Sequence, residues 1–406
     1  MDRARIDADV LIPGRGAPIR DGSVVLDGQK IAWVGATDEA PEVDGSFHVP
    51  TVLPGLWEAH GHFVGGTTPD VQAWVTEPTA LKAARAAGDV TRTLMGGVTS
   101  VREVGGLGVY LARAVAEGSL VGPTIHGAGS ILSTTGGHGD VHGLPLDWVN
   151  GLAESEAMTC LADGVPACLQ AVRRQLRKGA AVIKVCASGG VMSTLDDPIH
   201  QQFSLDELRV IVEEAARADR VVAAHCHGKP GIMAALQAGV HTIEHGTWVD
   251  EEAATAMVEA GAMLVPTRFV IEELLALDDL PAHVAREIHV IADTHLEAMR
   301  IAIAAGVRIA MGTDIFLSGA TYGRNGREVR HLVDAGMTPL QAVEAATANG
   351  PDTLGPLAPR SGQLAVGFDA DVIAIDGDPL TDLDLWGHPD RVTHVWRAGV
   401  AVKQPR

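Results

Sequence analysis

Eight short apolar runs of β-type composition recur along this chain, and most are separated by amphipathic helical stretches. They lie within 52–60 (VLPGLWEAH), 98–104 (VTSVREV), near 124–132 (TIHGAGSIL), 181–188 (AVIKVCAS), 221–227 (VVAAHCH), 241–245 (HTIEH), near 263–268 (MLVPTR) and 308–314 (RIAMGTD). Between them come segments such as LARAVAEG, CLQAVRRQLRKG and THLEAMRIAIAAG, each halted by a glycine, the usual C-terminal stop of a helix. Strand alternating with helix predicts parallel βα units. Eight in succession predict a closed (β/α)8 TIM barrel, with an open doubly wound sheet as the topological alternative.

The two ends read differently. GSVVLDGQKIAWVG near the start and GQLAVGFDADVIAIDGDP with VTHVWRAGVAVK near the finish show short alternating segments and Asp-Gly turns. Residues 1–53 and 362–406 are therefore expected to meet as one small flanking β-sandwich, and 54–361 to form the barrel.

Composition narrows the function classes. With 31 basic and 51 acidic residues the formal net charge is −20, which argues against nucleic acid or an anionic membrane as partner. No apolar run reaches the roughly 18 to 20 residues that span a bilayer. The opening MDRARIDADVLIPG lacks the charged-then-apolar pattern of a signal peptide, so a cytoplasmic location is expected. Cys160, Cys168, Cys186 and Cys226 form no CxxC pair and read as free thiols, small hydrophobes where they sit in apolar runs. No GxGxxG stands between a strand and a helix in a dinucleotide-binding position, which disfavours an oxidoreductase.

In such a barrel the C-terminal strand ends face the active site. The first run ends in His60 and His62, which share a face because side chains alternate along a strand. Lys184 lies inside the fourth, His225 and His227 end the fifth, His245 the sixth and Asp314 the eighth. A single histidine at a strand end is more often a hydrogen-bonded core residue. Lys184 resists that reading, because an unpaired buried ammonium costs several kcal/mol. Convergence of all these groups on one barrel mouth points to a metal site. Arg102 and Glu103, near the end of the second run, could equally form a structural ion pair within the barrel.

The stretches PGLWEAHGH, GGVTSVREVGG, STTGGHGD, IKVCASGG, DDPIHQQFSLDEL, AHCHG, TIEHG, GTD, AGMTPLQAVEAAT and VGFDADVIAIDGDPL follow one another between residues 54 and 380. In that order they resemble the binuclear metal branch of the amidohydrolase superfamily, and most of all its imidazolonepropionase-like and Xaa-Pro dipeptidase (prolidase-like) group with the ochratoxin-degrading amidohydrolases. The resemblance implies that His60, His62 and Asp314 bind one divalent ion and His225 with His245 a second. Lys184, carboxylated to a carbamate, would bridge the two. Zinc is the expected metal from the ligand types, with manganese, iron or cobalt as alternatives. The residue two before the first ligand is usually Asp in the family, and here it is Glu58.

The expected chemistry is hydrolysis of a C–N amide bond by a metal-bridging hydroxide. Asp314 would carry the proton to the leaving amine and His138 would stabilise the oxyanion. His138, His227, Tyr322 and Arg324 are the candidate substrate contacts. A dipeptide, an N-acyl amino acid or an amide-linked xenobiotic fits; carbamates, ureas and lactones would use the same hydroxide. The alternative is a mononuclear deaminase or cyclic-amide hydrolase, which Lys184 disfavours. A small-molecule substrate and a homo-oligomer complete the expectations.

Overall fold

Both chain ends contribute to one mixed sheet in the computed structural model, which describes residues 3–43, 45–155, 158–191, 195–277, 280 and 282–405. From the start come β1 (Ala4–Leu11), β2 (Ile19–Asp27), β3 (Lys30–Ala36) and β4 (Gly45–Pro54). The central part supplies β5 (Leu56–Gly61), β6 (Val98–Glu103), β7 (Thr124–Gly127), β8 (Ile131–Ser133), β9 (Thr159–Leu161), β10 (Ile183–Cys186), β11 (Val222–Cys226), β12 (Thr242–His245), β13 (Met263–Val265) and β14 (Arg308–Ile309). The last three are β15 (Val372–Ile375), β16 (Val392–Arg397) and β17 (Val400–Lys403).

The end strands form a seven-stranded sheet in the order β17-β16-β15-β4-β1-β2-β3. The two ends do build common β-structure, although hydrogen bonding joins their strands in one sheet rather than two. Alternation gives that sheet two tasks. Val52, Val372 and Ala374 face its own core with Ile6, Leu11 and Val24. Their neighbours Leu53, Ile373 and Ile375 pack into the larger core around the central strands. Between β4 and β5 the chain passes so close to Thr99 that a Cβ on Gly55 would lie 2.1 Å from its hydroxyl oxygen. Only glycine allows that passage.

The central strands pair in parallel as β14-β13-β12-β11-β10-β8-β9 and β5-β6-β7. Backbone bonds run between the two sets in two places: Ala181 N, just before β10, to Gly127 O at 2.8 Å, and Ala59 N to Met311 O and Asp314 N to His60 O, each at 2.8 Å. The third expected strand divides into β7 and β8, because Gly129 turns with φ +75° and Gln175 accepts the Ser130 N–H at 2.8 Å. The three-residue β9 had no periodic signal in the sequence. Helices follow the expected stretches, for example Gly108–Ala116, Val165–Lys178 and Ala282–Ala304. Among the described residues no helix is long and apolar enough to cross a membrane.

Candidate metal centre and active site

His60, His62, His138, Lys184, His225, His227, His245 and Asp314 all line one cavity of about 120 Å³. They arrive there from β5, β10, β11 and β12, and from the loops after β8 and β14. Thus six separate chain segments deliver the polar groups that the sequence singled out.

The first cluster is His60, His62 and Asp314. Asp314 Oδ1 lies 3.1 Å from His62 Nε2 and 3.6 Å from His60 Nε2. The approach of the two segments needs Gly312, where a Cβ would stand 2.7 Å from the His60 Cβ. Glu58 ties the same segments together. Its carboxylate accepts from His60 N at 2.8 Å, Thr313 N at 2.9 Å, Thr313 Oγ1 at 2.6 Å and Asn325 Nδ2 at 2.7 Å. Burial pushes its pKa up despite these donors. The departure from Asp at this position leaves a fully bonded carboxylate that joins the segment at the end of β5 to the one after β14.

The second cluster is His225, His227 and His245, whose nitrogens lie within 4.8 Å of one another. His227 is thus placed as near as the two histidines that the family resemblance assigns to the second ion. Each ring has a partner on the nitrogen away from the cluster, or on one of its two nitrogens. His227 Nδ1 meets the Thr247 hydroxyl at 2.7 Å and His245 Nδ1 the Thr267 hydroxyl at 2.8 Å, leaving Nε2 to the cavity. His225 is reversed: its Nε2 donates to Gly189 O at 3.0 Å, which leaves Nδ1 as the free donor atom. Such outer partners fix ring orientation and tautomer.

Lys184 Nζ lies 3.4 Å from His60 Nε2, 2% exposed, and among the described residues no ion pair neutralises it. Burial lowers its pKa, with the neighbouring charges acting in both directions. Burial likewise lowers His60 to about 4 and His227 to about 3, and takes His225 and His245 well below the ordinary value. His62 differs: burial alone would lower it, but the hydrogen bond and charge of Asp314 outweigh that and raise it. Imidazoles and a carboxylate are the donor types that divalent ions of the zinc kind take. The residues fit a metal centre.

Strain marks the same place. His245, Thr267 and Asp314 have φ values of 69°, 58° and 57°. For such residues this region costs of order 1–3 kcal/mol each and persists where the surroundings enforce it. At His245 it has a visible use. Alternation would send Glu244 and His245 to opposite faces, yet the left-handed turn brings the His245 ring to 4.9 Å from that of His60.

His138 stacks on His225 with ring centroids 4.2 Å apart, and its Nδ1 lies 4.0 Å from Asp196 Oδ2. Tyr322 and Arg324 are placed elsewhere. The Tyr322 hydroxyl donates to the His62 carbonyl from a buried position, and Arg324 pairs with Glu273 at 3.2 Å. Neither lines the cavity. Arg102 pairs with Glu244 rather than with Glu103, since neighbours on a strand point to opposite faces.

Sequence reasoning missed Glu244, Thr267 and the apolar wall of the cavity. That wall comes from Val270, Ile271 and Leu274 on the helix Arg268–Leu275, Ile288 and Ile291 on Ala282–Ala304, and Phe316. The first of these helices is anchored by buried Glu328, which accepts from Arg268 N at 2.9 Å and Phe269 N at 2.6 Å. A charged residue between Ile243 and His245 in TIEH was the available signal for Glu244.

Comparisons with known proteins identify the family. An ochratoxinase from Aspergillus niger is 43% identical over 98% of this chain and 86% of its own length. The crystal structure of A. niger ochratoxinase superposes with a TM-score of 0.93 at 42% identity, covering 100% of this chain and 96% of that one. A prolidase crystallised with N-methylphosphonate-L-proline gives a TM-score of 0.90 at 32% identity over 99% of this chain and 100% of its own. A Xaa-Pro dipeptidase with bound methionine gives 0.87 at 30%, over 99% and 100%. Residues 51–402 match the amidohydrolase family, and the chain, a hydrolase acting on carbon–nitrogen bonds, belongs to it.

Proposed function

We propose that this enzyme is a binuclear metal-dependent hydrolase that cleaves an amide bond next to a bulky apolar group. The observation that carries the reading is the convergence of His60, His62, Lys184, His225, His245 and Asp314 on one cavity. His60, His62 and Asp314 would hold one divalent ion, preferably zinc, and His225 with His245 the other, with a carbamate on Lys184 between them. When bound, the two ions would polarise the amide carbonyl and acidify a water. The backbone bonds between the two sets of central strands support closure as one eight-stranded barrel, covering 54–361, with 1–53 and 362–406 as its companion.

The protein's own groups supply the rest. Asp314, lying 3.1 Å from His62, is the acceptor for a proton from water and its donor to the departing amine nitrogen. His138 and His227 border the cavity, where His138 would stabilise a developing oxyanion and His227 would contact the substrate. Val270, Ile271, Leu274, Ile288, Ile291 and Phe316 exclude water and favour an apolar substituent on the substrate. The relative named for ochratoxin makes that compound the first substrate to try. The prolidases make Xaa-Pro dipeptides the second.

The test is amine release from ochratoxin, N-acyl phenylalanines and Xaa-Pro dipeptides by zinc-loaded enzyme. Cleavage of amides with large apolar groups, abolished by chelation and restored by zinc, is expected. Turnover of none of the amides, with release of ammonia from a ring substrate instead, would turn the reading to the deaminase alternative.

A further inference from the structure

Below the cavity floor, buried polar groups form a continuous hydrogen-bonded chain that ends on His60. Arg102, fully buried, donates from Nε to Ala59 O at 2.6 Å, from one terminal nitrogen to Thr242 Oγ1 at 2.8 Å, and from the other to both Glu244 oxygens at 2.8 Å. Thr242 Oγ1 also donates to Glu244 Oε1. Glu244 Oε2 then accepts from His60 Nδ1 at 2.6 Å. On its other side the same ring turns Nε2 toward Lys184 Nζ at 3.4 Å and Asp314 Oδ1 at 3.6 Å.

We propose that Arg102 and Glu244 are a positioning pair that fixes which nitrogen His60 offers to the centre. The inference rests on the metal reading above and adds to it two residues outside the cavity lining. A carboxylate only accepts, so the imidazole nitrogen facing it carries the hydrogen and the far nitrogen keeps its lone pair. Arg102 keeps that carboxylate anionic in a dry interior, since one guanidinium nitrogen lies 2.8 Å from both of its oxygens and charge-assisted bonds are the strong ones. Its Nε bond to Ala59, the residue before His60, also fixes the strand carrying the ligand. A plain structural ion pair would need no histidine at its end.

The discriminating change is Glu244→Gln. An amide can turn its NH2 toward His60 Nδ1 and favour the opposite tautomer, which closes Nε2 to a cation. Metal-free wild type and variant, with ¹⁵N-labelled histidine, are compared by NMR, and Zn2+ binding is titrated on both. We expect the His60 nitrogen pattern, assigned with His60→Asn, to move from Nδ1–H toward Nε2–H. One of two Zn2+ ions should then bind about 10- to 100-fold more weakly, the usual size of such an outer-partner effect. Glu244→Asp, which keeps the anion, should retain the wild-type tautomer and recover part of the affinity. If Glu244→Gln fails to fold, Arg102→Lys carries the same titration. Unchanged nitrogen pattern and Zn2+ affinity, with only the melting temperature lowered, would overturn the positioning role and leave the metal reading intact. A wild type that binds no Zn2+ would overturn both.

Discussion

The cavity at the mouth of the central strands and the seven-stranded end sheet bury polar groups in opposite ways. In the end sheet, the buried side chains Ser23 and Thr51 are neutral hydroxyls with partners, Asp7 at 2.5 Å and the Gly377 carbonyl at 2.7 Å. Ions there pair at the surface, as in Arg3–Asp27 at 2.9 Å and Lys30–Asp369 at 2.6 Å. At the mouth, a lysine, several imidazoles and a carboxylate crowd one cavity, and three of the residues in or beside it hold left-handed backbone. Left-handed non-glycine backbone occurs in both regions, at Asp21 in β2 as well as at the cavity, so the contrast lies in the buried charge gathered at one site, the pattern expected where one region provides stability and the other chemistry.

The contrast can be broken most strongly at the mouth. Asp314→Asn should lower kcat by about 10²–10⁴-fold, the usual contribution of a placed acid–base group, with little change in melting temperature. An unchanged kcat would remove Asp314 from the proton path. In the sheet, Leu11→Ala should do the reverse. Loss of its fully buried side chain costs about 2–5 kcal/mol by denaturant titration, while kcat per folded molecule stays that of wild type.

Acid separates the regions next. The folded pKa values of His60 and His227 are lowered to about 4 and about 3, from an ordinary 6.5. Their neutral forms are favoured in the fold, so the stability they allow is fully present above pH 6.5. It is lost as pH falls from 6.5 toward those values, because the unfolded chain takes up protons first. The metal-free protein should therefore melt at progressively lower temperature over that window. His227→Asn should flatten the slope and Leu11→Ala should leave it unaltered.

Smaller effects sharpen the boundary of the site. Tyr322→Phe removes the donor to the His62 carbonyl and should cost on the order of 1 kcal/mol, with KM unaffected. Arg20→Ala breaks an exposed pair with Asp378 in which Arg20 is 70% exposed. It should change stability by no more than about 0.5 kcal/mol and activity not at all.

The strand–helix rhythm and the polar residues at strand ends were readable because both follow from local periodicity. His60 with His62, and His225 with His227, share their faces as alternation requires. What stayed hidden depends on contacts between distant segments. Arg102 and Glu244 are 142 positions apart, so their pairing left no local trace. The roles of Tyr322 and Arg324 were read from position after the eighth strand, whereas packing turns one onto the His62 carbonyl and the other onto Glu273. The division of the third strand needed a left-handed Gly129 that composition alone did not announce.

The most direct test is a count of metal ions per chain in wild type and Lys184→Ala, purified without chelator and assayed for amide hydrolysis. The account predicts about two ions in wild type, with occupancy and hydrolysis both falling sharply in the variant. One ion per chain, indifferent to the loss of Lys184, would contradict it.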